Sequence, residues 1–220
     1  MIINTLQFIY ISFLSTFLHF SYDMTNHIFL FSIIGAVNES TWEHLKIGIF
    51  PWFTWFLIRS HYFSIINSYF SNFIAILSFM ITIVVIFYGS NYILKKHYLP
   101  ISISSFYIGV LSGICFEYKI KKENIFHPVL EIIGLIGCIL IIIAGLILTY
   151  YPIKCFLTLD VRYNMYGIEA HRKRCDILEK KKYIIFIFNL LGIPLDNKEY
   201  EIKTAKTFEL DHEEILEENK

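Results

Sequence analysis

From Val37 to Lys46 the chain reads Val-Asn-Glu-Ser-Thr-Trp-Glu-His-Leu-Lys, setting two carboxylates, an imidazole, an amide, an indole and an ammonium into one short stretch. Glu39 and Glu43 are four apart, so on a helix that starts near here both carboxylates share a face and His44 lies one residue round. With His19 entering from an earlier segment, they form a donor set of the kind that holds zinc or another divalent cation. Such a site could activate water for hydrolysis of a lipid ester, amide or phosphate at a membrane surface. In this enzyme reading Glu39, Glu43 and His44 are catalytic, and His19, Glu39, Glu43 and His44 are the metal ligands. Tyr22, Asn38, Trp42 and Lys46 then bind the substrate, Lys46 through an anionic head group.

Each of these residues also has a plainer role. Ser40-Thr41-Trp42-Glu43 matches a capping box, in which Ser40 accepts from the Glu43 amide and the Glu43 carboxylate returns to the Ser40 amide. Lys46 can neutralise Glu43 three residues earlier, Trp42 can anchor at the interface, Glu39 can favour the helix start through its dipole, and His44 can be an interfacial histidine. A rival to the enzyme is therefore a non-catalytic membrane protein, a small transporter or an assembly factor, in which the motif caps a helix and packs two spans together.

The elements that must position these residues are mostly apolar. Of 220 residues, 55% are hydrophobic and 18% aromatic, and the mean hydropathy is +0.54, too apolar for a soluble domain. The expected fold is an all-α integral membrane bundle of about five transmembrane helices, residues 1–168, followed by a charged cytoplasmic tail, residues 169–220. Zero formal net charge, without a basic stripe interleaved with aromatics, sets nucleic acid aside as a partner and leaves the lipid bilayer. Cys115, Cys138, Cys155 and Cys175 stand singly, without the C-x-x-C spacing of zinc or redox sites.

The spans are expected at about residues 3–22, 40–58, 69–94, 100–117 and 128–151, each near the length that crosses a hydrocarbon core. No Lys or Arg precedes the first run and no small-x-small site follows it, so it is read as a span rather than a cleaved signal. Residues 24–37 read as a surface-lying or re-entrant connection. Pro51 falls inside the second span, and the crowding of Trp42, Trp52 and Trp55 there reads as an interfacial belt. Ser105, Gly109 and Gly113 recur at small-xxx-small spacing, a helix-packing pattern. Glu117, His127 and Glu131 form a second polar grouping, read as structural.

Five spans put the ends of spans one, three and five and the start of span two on one face. His19, Tyr22, the central motif, residues 88–92 and the segment after Pro152 become neighbours there. Lys46, Lys95, Lys96, Lys154, Arg162 and Arg172-Lys173-Arg174 make this the more basic side, hence the cytoplasmic one, with the N-terminus outside. In the tail, residues 169–182 carry six basic and three acidic side chains, whereas residues 196–220 carry nine acidic and four basic. The apolar segment between them, residues 183–193, is too short to span and is placed at the interface or docked on the bundle.

With the chain laid out in this way it resembles an uncharacterised family, a domain of unknown function, of small bacterial multi-pass membrane proteins. The resemblance rests on His19-Phe20-Ser21-Tyr22 at the end of the first span and on Val37 through Lys46 opening the second. Tyr151-Pro152, Asp160 and Tyr166-Gly167-Ile168 at the exit from the last span complete it. It covers about residues 1–168 and implies a cell-membrane location and the multi-pass fold, but no activity.

Overall fold

The structure is a computed structural model that describes residues 2–62, 68–96, 98–123, 125, 127–160 and 163–172. The expected apolar segment at 183–193, the acidic end and most of the basic segment before them lie outside the described residues. Contacts within the chain define a compact unit, Met1–His171. In chain order this unit holds α1 (Ile2–Met24), α2 (Phe29–Ile34), α3 (Thr41–Tyr62), α4 (Tyr69–Leu94), α5 (Leu99–Lys122) and α6 (Pro128–Tyr150). A minimal antiparallel hairpin, β1 (Leu159–Asp160) and β2 (Met165–Tyr166), follows, and residues 167–172 are again helical.

Local chemistry accounts for the boundaries. Ser68 caps α4 by accepting from the Ser71 amide, and Lys95 ends that helix in the left-handed region at φ 51°. Proline opens both α5 and α6 within the first turn, where its missing N–H has no helical partner to lose. The short helix α2 occupies the connection that sequence alone places at the surface or as a re-entrant piece.

Among the described residues four helices, α1, α4, α5 and α6, are long and apolar enough to cross a membrane. Most of their large apolar side chains face outward, among them Phe13, Val85, Ile132 and Leu140, which suits lipid surroundings. The fifth long helix, α3, matches them in length with 22 residues, but it carries Glu43, Lys46 and Arg59, all buried. It packs against α1, α4 and α6 and supplies Trp42, Leu45, Ile49 and Trp52 to the core, opposite Phe79 of α4 and Val110 of α5. This corrects the interfacial belt: Trp42, Trp52 and Trp55 are buried at 7%, 0% and 5% exposure. Their indoles pack between α3 and the helices around it.

In lipid, apolar burial between helices brings no transfer gain, so close packing and polar contacts hold the bundle. The Ser105, Gly109 and Gly113 stripe is buried on α5. A Cβ on Gly113 would stand 2.7 Å from both the Ala75 carbonyl oxygen and the Trp52 ring, so glycine permits the α4–α5 approach. Beside this seam Ser78 and Ser112 share a hydrogen bond of 2.7 Å, and Thr82 donates to Ser112 at 3.0 Å, each contributing roughly 0.6 kcal/mol. Gly113→Leu is expected to lower thermal stability in detergent by about 1–3 kcal/mol through overpacking. Cys115→Leu, on the exposed side of the same helix, is expected to leave the melting temperature unchanged.

Candidate functional site

One end of the bundle gathers the C-terminal ends of α1, α4 and α6 and the start of α3. The loop entering α3 lies against α1, the Ala36 amide donating to the Leu18 carbonyl at 3.3 Å. A side chain at Gly35 would meet that same carbonyl oxygen at 2.7 Å, so glycine lets the loop run one residue away from His19. Asn38 then folds the loop into a tight turn: its Oδ1 accepts from the Ser40 amide at 2.8 Å, and its Nδ2 donates to the Gly167 carbonyl at 2.7 Å. Ser40 accepts from the Glu43 amide at 3.4 Å, which is half of the expected capping box. The other half is replaced, because Asn38 already takes the Ser40 amide and the Glu43 carboxylate turns into the bundle.

There Glu43 Oε2 accepts from the Lys46 ammonium at 2.6 Å and from the Val37 amide at 3.0 Å. Its Oε1 accepts from the Thr149 hydroxyl at 2.9 Å. Lys46 donates in addition to Thr149 Oγ1 at 2.7 Å and to the Ser32 carbonyl at 2.9 Å, so its three N–H groups all have acceptors. Glu43 and Lys46 are both buried, a neutral pair that joins α2, α3, α6 and the motif loop.

His19, Glu39 and His44 remain at the surface of this end, with side chains 24%, 21% and 36% exposed. Glu39 Oε1 stands 4.0 Å from His19 Nε2, and Glu39 Oε2 stands 3.5 Å from His44 Nε2. One ligand atom from each of the three falls within 4.8 Å of the others. His44 Nδ1–H donates to the Ser40 carbonyl at 2.9 Å, which leaves Nε2 as the ring nitrogen directed at Glu39, where it donates when protonated and can bind a cation when it is not. The Glu39 amide donates to Asp160 Oδ2 at 3.0 Å, so β1 holds the backbone of the acid in place. Ligands bonded at 2.0–2.1 Å in a tetrahedron stand roughly 3.3 Å apart, and small side-chain rotations separate the observed spacing from that one.

Of the remaining residues expected here, Tyr22 is buried against the rings of His27 and His171, Trp42 lies in the core, and Asn38 and Lys46 are taken up by the internal bonds described above. Tyr88 shares a 2.8 Å hydrogen bond with Thr41, and the Trp42 amide donates to Leu157 at 2.8 Å. The motif, α4 and the segment after Pro152 therefore do meet. Sequence reasoning missed Thr149 and the buried His171, and assigned Asp160 no role; only Asp160 had a signal, as part of the family resemblance. At the other end Glu131 caps α4 through Ser68 and the Tyr69 amide, and His127 caps α6. Glu117 there pairs with Arg59 at 2.5 Å and Lys121 at 2.7 Å while Gln7 donates to it at 2.7 Å.

Residues 2–168 match the model of a family of unknown function. No curated protein and no solved structure matches the chain.

Breaking the buried pair from one side leaves an uncompensated charge. Glu43→Gln is expected to destabilise the protein by about 3–5 kcal/mol, and adding Lys46→Met is expected to recover part of that loss. Thermal unfolding of the single and double variants in detergent measures both.

Proposed function

The chain belongs to DUF6512, a family of unknown function, and from the geometry of its polar face we propose a multi-pass membrane protein that holds a divalent cation between His19, Glu39 and His44 and acts on a lipid or other amphipathic molecule. The observation that carries this reading is the convergence of two imidazoles and one carboxylate, from α1, the motif loop and α3, within 4.8 Å at a solvent-reached rim. Two His and one Glu make up a known zinc set that leaves a coordination position open to water or substrate. A cation bound there supplies Lewis acidity to an ester, amide or phosphate. Glu39 turns one oxygen towards each imidazole, so its carboxylate would either join them as a ligand or act as the general base beside them. His19 and His44 hold the cation, with His44 oriented through Ser40. Phe20, half exposed, packs edge-on against His19 with ring centres 4.7 Å apart, an apolar surface beside the site for an acyl chain.

Counting α3, the bundle has five spans in this reading, with the site at the cytoplasmic mouth. Lys46 is set aside with its partner Glu43, and Arg59 and Lys121 with Glu117. The remaining charge of the described residues still favours this assignment: Lys95, Lys96 and Lys154 on the site's side against Lys119 and Lys122 on the other.

A second reading is supported by the commitment of Asn38, Ser40, Glu43 and Lys46 to internal contacts: a non-catalytic membrane protein, a transporter or assembly factor, whose motif is a packing element. Elemental analysis of purified full-length protein after zinc supplementation separates the two. His19→Ala, His44→Ala and Glu39→Gln are each expected to lose about one cation per chain while remaining folded. Equal metal content in wild type and folded variants, or none in wild type, would leave the packing reading in place.

A further inference from the structure

We infer that Asp23, His27 and His171 form a second divalent-cation site, built from residues that the His19, Glu39 and His44 group does not use. One ligand atom from each lies within 4.8 Å of the others. His27 Nε2 is 3.8 Å from Asp23 Oδ1, and His171 Nδ1 is 3.9 Å from the same oxygen. The three come from separate pieces of chain: the end of α1, the turn after it, and the helical residues 167–172.

The turn is shaped to bring His27 back. Asn26 and His27 both adopt the left-handed region, at φ 53° and 67°, an uncommon conformation for side-chain-bearing residues. The His27 amide meanwhile closes on the Tyr22 carbonyl at 3.0 Å. His171, 4% exposed, is held edge-on by Tyr22 and His27, with ring centres 4.8 and 4.5 Å away, so its orientation is fixed by packing. Asp23 and His27 are 42% and 46% exposed, leaving the group open to an ion from solvent.

The Val37 carbonyl supplies a fourth donor. His171 Nδ1 lies 3.0 Å from it, and with no ion bound Nδ1–H donates to that oxygen. When a cation binds, the ring takes its other tautomer, the Nδ1 proton leaving to solvent and Nε2 taking one up, and Nδ1 and the carbonyl oxygen already stand at about the separation of neighbouring ligands. Two imidazole nitrogens with two oxygens select a late first-row divalent ion such as zinc, cobalt or nickel over calcium or magnesium. An ion there ties residues 167–171 to α1 and to Val37, two residues before Glu39, and so fixes the loop that carries the acid.

The test is zinc stoichiometry of the full-length protein in detergent after dialysis against metal-free buffer. Wild type is expected to retain two ions per chain, and His27→Ala and Asp23→Asn, both at exposed positions, one each. His44→Ala is expected to retain one, and His27→Ala combined with His44→Ala none. His27→Ala and Asp23→Asn that hold as much zinc as wild type would overturn this inference while leaving the first site untouched. Loss of zinc in His27→Ala but not in His44→Ala would overturn the first site and sustain this one.

Discussion

The polar end of this bundle depends on one buried ion pair. An isolated Glu43 or Lys46 inside a membrane protein would be far too expensive to keep charged. Together, at 2.6 Å, they satisfy each other, and every further bond they make recruits another segment: the Val37 amide, the Thr149 hydroxyl and the Ser32 carbonyl. Ser32 also joins the Tyr150 hydroxyl through its own side chain. Four pieces of chain are thus held in register by two side chains one helical turn apart. A charged pair in this position specifies the arrangement even where an apolar substitute would pack as well.

That register is what allows three half-buried side chains to converge. His19 is carried by α1, His44 by the first turn of α3, and Glu39 by the loop that Glu43 and Asp160 grip from either side. The motif therefore divides by direction. Side chains turned inward hold the loop, and Glu39 and His44, turned outward, are brought together with His19. Alternation between support and presentation is how a short segment can build both a site and its scaffold.

Much of this was legible beforehand. The apolar runs and the capping serine lead to a helical bundle, and His19, Glu39 and His44 meet at one end of it. The assignment of Glu43 to the catalytic group was not resolvable from spacing. Glu39 and Glu43 share a helical face only if both are helical, whereas the helix begins at Thr41 and leaves Glu39 on the loop. The three tryptophans misled for a related reason: composition is the same for an indole facing an interface and an indole buried between helices. Thr149 and His171 were invisible because their partners are more than 100 residues away in sequence, beyond any local period.

The division of the motif is tested most directly by thermal unfolding of wild type and Glu39→Gln in detergent, with and without saturating zinc. Without zinc the two are expected to melt within about 1 kcal/mol of each other, as for a lost ion pair at a solvent-reached rim. With zinc the wild type is expected to rise further than the variant, since an ion that binds only the folded state stabilises it by mass action. Glu39→Gln melting well below wild type in the absence of zinc, or an equal rise in both proteins when zinc is added, would contradict the account.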